Sequence, residues 1–481
     1  MSGISHRQRM LVLAICCMSL LIVSLDNTVL NVALPSMQRE LHASVAGLQW
    51  TMDAYTLVLA SLLMLAGSTA DRIGRRKVFM AGLVVFTLGS ALCSLAPNLD
   101  SLVAFRMVQA VGGSMLNPVA MSIITNTFTN PRERARAIGA WGAVIGISMA
   151  AGPLVGGLLV DSVGWRSIFW INLPVGLAAL LLTLRYVPES RAPKARRPDP
   201  VGQLLVIALL GSLTYAIIEA PHSSALKTAV FGAIAVAALL GLLWYEPRRA
   251  EPLIDLRFFR SAPFSGATVI AISAFAALSG FLFLSTLYLQ TVRGLNALDA
   301  GLWMLPMAAM CFVCAPLSGR LVGSRGPRLS LLIAGVATTA SGILFAAFDA
   351  ESSNVTLVLG YVLFGLGFGF VNAPITNTAV SGMPRTQAGV AAAVASTSRQ
   401  IGATLGVAVV GAVLASGVRA SAYNDTFVPA ARPGWWIIAG CGLAVLLVGA
   451  LTSGRWARRT AERTAERLEA VELRDGAGVR A

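Results

Sequence analysis

Fourteen stretches of about 20 mostly apolar residues, separated by short polar or basic connections, fill the sequence from Met10 to Arg455. At about 1.5 Å rise per residue, each is long enough as a helix to cross a hydrocarbon core of about 30 Å. Lipid offers no hydrogen bonds, so an isolated spanning segment must satisfy its own backbone, and the α-helix does so. The expected fold is an all-α polytopic membrane protein with 14 transmembrane helices, at residues 10–34, 48–70, 78–96, 101–125, 136–160, 168–187, 201–219, 227–246, 262–290, 301–322, 329–348, 355–380, 390–416 and 434–454. Only 12% of the 481 residues are charged, against about 25% in soluble domains. No sizeable soluble domain fits between the spans.

The net charge of +15 raises the question of nucleic acid, but the placement of the basic residues answers it differently. With an even number of spans and the N-terminus inside, cytoplasmic segments carry 29 Lys and Arg. External loops carry 6: Arg39, Arg166, Lys227, Arg293, Arg419 and Arg432. That asymmetry is the positive-inside pattern, so both termini are expected in the cytoplasm and no nucleic-acid partner is expected. The opening MSGISHRQRM and its apolar run are read as an uncleaved first span, because the run is too long for a signal peptide and no A-x-A site follows.

Cys16, Cys17, Cys93, Cys311, Cys314 and Cys441 all fall inside apolar spans, where free thiols pack as small hydrophobes. His6, His42 and His222 lie at the terminus or in loops and assemble no metal cluster with them. Neither a metal nor a cofactor is expected, and no catalytic residues are assigned.

The chain repeats itself. GGSMLNPVAMSIITNTF at 112–128 echoes GFGFVNAPITNTAVSGM at 367–383, with Asn117 over Asn372 at an offset of 255. GSTADRIGRRK at 67 echoes GRLVGSRGPR at 319, with Gly67 over Gly319, Gly74 over Gly326 and Arg76 over Arg328, at an offset of 252. Parallel halves of this kind place a substrate site at their interface. The spans then divide into two six-helix bundles plus two inserted helices: 1–190, an insertion with its linkers at 191–261, 262–454, and a tail at 455–481, expected to be solvated.

These features resemble the major facilitator superfamily and, within it, the fourteen-helix drug:proton antiporters. GSTADRIGRRKVF at 67–79 resembles the superfamily's G-x-L-A-D-R-x-G-R-K signature, with Thr69 in the leucine position. The resemblance implies a gating loop of Gly67, Asp71, Arg72, Gly74, Arg75 and Arg76. GAWGAVIGISMAAGPLVGGLL resembles the antiporter signature of the fifth span, through Gly139, Gly152, Pro153, Gly156 and Gly157, with Ser148 at one glycine position. Ordinary small-residue packing reads the same way. WRSIFWINLPVG at 165–176 and LDNTVLNVALP at 25–35 resemble further signatures of these exporters. Many arginines and only 3 lysines give the text the look of actinobacterial antibiotic-resistance exporters, those for lincomycin in particular.

Three charges fall inside spans at similar depth. At about 1.5 Å per residue, Asp26 lies about 13 Å, Asp53 about 8 Å and Arg106 about 8 Å from the outer ends of spans one, two and four. Each costs about 2.5–3.5 kcal/mol to insert, so each must face a cavity or a partner. Desolvation favours the neutral form of a carboxyl group and a nearby cation favours the charged form. Two aspartates near Arg106 can therefore exchange protons near neutral pH, unless they are simply structural polar residues. In family terms Asp26 and Asp53 are the expected proton acceptors and Arg106 their modulator.

No G-x-x-x-x-G-K-[ST] loop is present, so an ion gradient is the expected energy source. Trp50, Tyr55, Gln109, Asn117, Trp303, Asn372 and Arg399 are candidate substrate residues for a central cavity. The expected partners are a small-molecule drug, protons and the lipid bilayer of the plasma membrane, with the chain acting as a monomer and not as an enzyme. The expected activity is proton-coupled efflux of a hydrophobic or amphipathic antibiotic. A proton-independent or importing facilitator of a small metabolite on the same fold, and a non-transporting sensor, are the alternatives.

Overall fold

The computed structural model describes residues 5–192, 199–249, 251–349, 352–381, 383, 388–418 and 423–478. Part of the basic linker expected between the sixth and seventh spans, residues 193–198, lies outside the described residues. Among those described, fourteen helices are long and apolar enough to cross a membrane. They are α1 His6–Leu41, α2 Val45–Ile73, α3 Arg75–Ser94, α4 Leu99–Thr127, α5 Arg132–Ser162, α6 Ser167–Tyr186, α7 Pro200–Glu219, α8 Ala225–Arg248, α9 Ala262–Val292, α10 Ala297–Arg325, α11 Pro327–Ala346, α12 Asn354–Val380, α13 Val390–Gly417 and α14 Thr426–Thr452. A further helix, α15 Arg455–Gly478, follows.

Helix starts are fixed by short polar side chains that accept from otherwise unpaired N–H groups. Ser44 accepts from Gly47 at 3.1 Å, Asn98 and Ser101 form a reciprocal capping box, and Ser353 accepts from Thr356 at 3.2 Å. Two ends differ from the sequence expectation. The expected first span stops at Leu34 and the last starts at Gly434, each beside a proline. Instead Pro35 lies inside α1, and Pro429 and Pro433 lie inside the last helix. Transmembrane helices tolerate proline because neighbouring groups re-satisfy the freed carbonyls.

The duplication is visible in the packing. In the first half α1 packs on α5, α2 on α4, and α3 on both α4 and α6. Eight helices later α9 packs on α13, α10 on α12, and α11 on both α12 and α14. Gly74 and Gly326, matched in sequence, both take positive φ, +126° and +80°, in the tight turns that join α2 to α3 and α10 to α11. The halves meet where α2 lies along α13 and α5 along α10. The inserted α7 leans on α2 and α13, and α8 packs on α7.

From Arg455 to Leu468 the tail is not fully solvated as expected. Ala457, Ala461, Thr464 and Leu468 recur every three or four residues along α15 and are buried. Leu468 joins Phe258, Phe264 and Val394 in one apolar cluster, and Thr460 Oγ1 accepts the N–H of Ala262 at 3.0 Å. The charges that suggested full solvation occupy the opposite face of an amphipathic helix.

Candidate functional site

Asp26 lies near the middle of α1, since that helix continues to Leu41. Its carboxylate is buried and fully engaged. One oxygen accepts from the Arg106 guanidinium; the other accepts from Gln109 Nε2 and from Asn172 Nδ2, each at 2.9 Å. Asn172 also donates to Ser90 Oγ at 3.0 Å, and Ser90 donates to the Phe169 carbonyl at 2.8 Å. Arg106 is completely buried. It donates to Gln109 Oε1 at 2.8 Å and to the Thr51 carbonyl at 3.3 Å, and stacks 4.2 Å from the centre of the Tyr55 ring. One guanidinium nitrogen, Nη2, has no partner. Helices α1, α2, α3, α4 and α6 thus converge on one ion pair.

Asp53 does not join it. Thr51 and Tyr55, one turn apart, face Arg106, and a residue midway between them points to the far side of a 3.6-residue helix. That side faces α13. Gln49, one turn before Asp53, donates to the Ala408 carbonyl at 2.8 Å, and Thr56 bonds Thr404 at 2.9 Å. Asp53 is fully buried between these layers, and neither carboxylate oxygen has a hydrogen-bond partner. The expected trio is therefore a pair inside the first half and a separate acid at the junction of the halves.

The second half carries an apolar copy of the network. The 255-residue offset takes Arg106 to Tyr361 and Gln109 to Phe364. Both rings pack on Phe281, at 5.6 and 3.9 Å between centroids, so Phe281 stands where Asp26 stands in the first half. Trp435 reaches Phe281 at 5.6 Å from α14, the counterpart of α6. One half holds a titratable centre and the other a stacked aromatic core.

The remaining candidates separate by position. Tyr55 and Gln109 belong to the Asp26 network. Trp50 turns to the inserted pair, donating to Glu219 at 2.8 Å and lying 6.0 Å from Tyr215. Trp303 packs against the main apolar core. Asn117 carries a buried Oδ1 with no partner, and the Asn372 carbonyl accepts from Thr376. Arg399 donates to Thr376 Oγ1 at 2.5 Å and lies 5.9 Å from the Phe275 ring, with its Nε unpartnered.

The expected gating loop is not a loop: Gly67, Asp71 and Arg72 lie in the last turns of α2 and Arg75 and Arg76 open α3, with Gly74 alone between them, and Asp71 accepts from Arg75 Nε and Nη2 at 3.0 and 2.8 Å across that turn. The Arg76 N–H donates to Glu189 Oε1 at 3.1 Å, and the Arg75 N–H to the Ser190 carbonyl at 2.9 Å. A Cβ on Gly74 would lie 2.7 Å from that Glu189 carboxylate. Gly67 sits against Pro118 of α4, and Arg72 is exposed. These described contacts tie the turn to the end of α6, within the first half.

On α5, Gly152 and Gly156 receive Thr28 and Val29 of α1, and Thr28 donates to the Ser148 carbonyl at 3.2 Å. Gly157 meets the backbone of Leu298, and the Pro153 carbonyl abuts Gly301. Gly139 has open space. Asp161, which sequence reasoning missed, accepts the N–H groups of Ala297 and Leu298 at 3.2 and 2.8 Å and so caps the positive end of α10. Gln290 donates to the Val32 carbonyl at 2.8 Å. These bonds join the halves at the face remote from the termini. Towards the terminus-bearing face Gly139, Gly142, Gly319 and Gly323 are exposed, and a Cβ on any of them would meet no atom within 4 Å. A Gly157→Val substitution, whose Cβ would fall 2.5 Å from Leu298 Cα, is expected to cost about 1–3 kcal/mol. A lowered melting temperature of the purified protein checks it.

Asn172 and Ser90 were also missed. Asn172 lies inside the WRSIFWINLPVG stretch that resembles an exporter signature, but neither residue was singled out as a site residue.

Comparison with known proteins agrees with this architecture. The family described as Major Facilitator Superfamily matches residues 16–407. The Multidrug resistance protein Stp of Mycobacterium tuberculosis is 38% identical over 418 residues, covering 86% of this chain and 78% of that protein. The Tetracenomycin C resistance and export protein of Streptomyces glaucescens is 38% identical over 420 residues, covering 87% and 78%. A bacterial homolog of the human lysosomal transporter Spinster, crystallised in an inward-facing and unoccupied conformation, shares the fold with a TM-score of 0.64 at 19% identity, over 96% of this chain and 99% of that one. With fourteen membrane-crossing helices, a duplicated half and a family match that covers most of its length, the chain belongs to the major facilitator superfamily of membrane transporters.

Proposed function

We propose that this transporter exports a hydrophobic or amphipathic antibiotic from the cytoplasm across the plasma membrane by alternating access, driven by protons, and so confers resistance. The observation that carries the reading is the buried Asp26–Arg106 pair, held by Gln109 and Asn172, in a chain whose relatives are named as drug-resistance and export proteins. Both termini are cytoplasmic, and the bonds of Asp161 and Gln290 join the halves on the outer side.

A proton reaching Asp26 cancels the charge that Arg106 pairs with. Arg106 then keeps only Gln109, the Thr51 carbonyl and the Tyr55 ring, and α1 is released from α4. Asp53, buried at the α2–α13 seam, gains water when the halves part. The turn of Asp71, Arg72, Arg75 and Arg76 acts as the cytoplasmic gate. One charge moved through 100 mV supplies about 2.3 kcal/mol, enough for roughly a fifty-fold gradient at about 1.4 kcal/mol per decade. The chain acts as a monomer, with the drug entering among residues near Asn117, Asn372 and Arg399.

The test is a susceptibility panel of deletion and overexpression strains across antibiotic classes, lincosamides included, with and without an uncoupler. Overexpression is expected to raise tolerance to at least one hydrophobic drug, and the uncoupler to abolish the gain. Transport that survives loss of the proton gradient would favour a facilitator instead.

A further inference from the structure

The base of the inserted hairpin holds two carboxylates that the transport reading does not use. Asp199 caps α7: Oδ1 accepts from the Gly202 N–H at 3.0 Å and from the Tyr245 hydroxyl at 3.2 Å. Glu246, at the end of α8, accepts the Ile254 N–H through Oε2 at 3.4 Å. Each side chain is almost wholly buried, with residue exposures of 4% and 1%. Each has one further oxygen with no partner, Asp199 Oδ2 and Glu246 Oε1. Those two orphan oxygens both flank Gly202. A Cβ placed on Gly202 would lie 2.8 Å from the first and 2.5 Å from the second, so the bare glycine is what leaves room for both.

Among the described residues the ion pairs include neither acid. The charged or titratable groups near the acids, among the described residues, are Tyr245, which donates to Asp199, Arg249, whose guanidinium lies 5.8 Å from the Tyr245 ring, and the Asp255–Arg257 ion pair next to Ile254; Lys194, Arg196 and Arg197 lie outside the described residues. The neighbouring helix α2 offers only the Ser61 carbonyl, which accepts from Gln203. Two adjacent buried carboxylates cannot both ionise cheaply, and a buried oxygen without a partner is costly. A single proton held at this site would answer both, by cancelling one charge and giving one acid an O–H to turn toward the orphan oxygen of the other.

We infer that Asp199 and Glu246 bind one proton between them, forming a second proton site at the base of α7 and α8, separate from Asp26 and Asp53. Loss of this proton to water leaves two like charges on opposite legs of the hairpin. Repulsion then parts α7 from α8 and strains the Gln203–Ser61 bond that fixes the hairpin to α2, so the site makes the hairpin's attachment sensitive to pH.

The test uses full-length protein in detergent and needs no transported drug. In wild type the folded pair keeps a proton that unfolded carboxylates release, so the melting temperature should fall by a few degrees as pH rises above the ordinary carboxylate range. Backbone hydrogen exchange in residues 199–206 and 251–256, corrected for intrinsic rate, should rise over the same interval. Glu246→Gln places a permanent N–H donor where the proton sat, and should flatten both responses while melting at least as high as wild type at alkaline pH. Asp199→Asn keeps a side-chain oxygen for the helix cap and provides the second variant. Unchanged pH responses in both variants overturn the site. So does a wild-type melting temperature that rises with added Na⁺ or Mg²⁺ at fixed pH and loses that rise in Glu246→Gln, since a bridging cation then replaces the proton.

Discussion

Replacing Arg106 by methionine is expected to lower the stability of the protein by about 3–5 kcal/mol, the cost of leaving one member of a buried pair uncompensated. Asp26 would retain Gln109 and Asn172 as donors but would lose its only ion-pair partner among the described residues. Asp26→Asn in the same background removes the stranded charge and should recover much of the loss. The second half supports that expectation, because Tyr361, Phe364 and Phe281 fill the matching positions with apolar rings. Melting temperatures of the purified single and double variants check it. A single variant as stable as wild type would mean that the pair contributes nothing to holding α1 on α4.

Asp53→Asn should act in the opposite sense on stability and more severely on transport. The carboxylate is buried with both oxygens unpartnered, so a neutral amide of nearly equal size removes no observed hydrogen bond. The fold is expected to melt at or above the wild-type temperature. Drug efflux should nevertheless fall by at least tenfold, because Asp53 sits at the α2–α13 seam, where a charge change can report whether the halves are open or closed. Drug accumulation in cells, measured beside the melting temperature of the same variant, separates the two effects. Intact efflux would remove Asp53 from the proton path.

Much of the fold was legible because lipid reduces the choices. The fourteen apolar stretches could be little else than helices, and the echo of Asn117 in Asn372 pointed to the duplication that the packing repeats. Two ends were set short, at Leu34 and Gly434, where the structure carries Pro35 and Pro433 inside longer helices. In the site, the insertion cost of a charge was enough to bring Asp26 and Arg106 to attention. Asp53 was misplaced because counting residues gives depth along a helix and not the direction around it: Thr51 and Tyr55 face Arg106, and Asp53 faces away. Asn172 was passed over although it lies in the WRSIFWINLPVG signature stretch, as one polar residue at a span boundary resembles the edge of a loop. The buried stripe of α15, spaced through Ala457, Ala461, Thr464 and Leu468, was hidden by the charges between its members.

Proton-coupled export through Asp26 is the central claim, and everted membrane vesicles test it most directly. With the lumen acidified by respiration, adding a drug identified by the susceptibility panel should release lumenal protons within seconds from vesicles containing the wild-type protein. Vesicles containing Asp26→Asn at equal abundance should show no release above that of vesicles lacking the transporter. Drug-dependent proton release at the wild-type rate from Asp26→Asn would contradict the account.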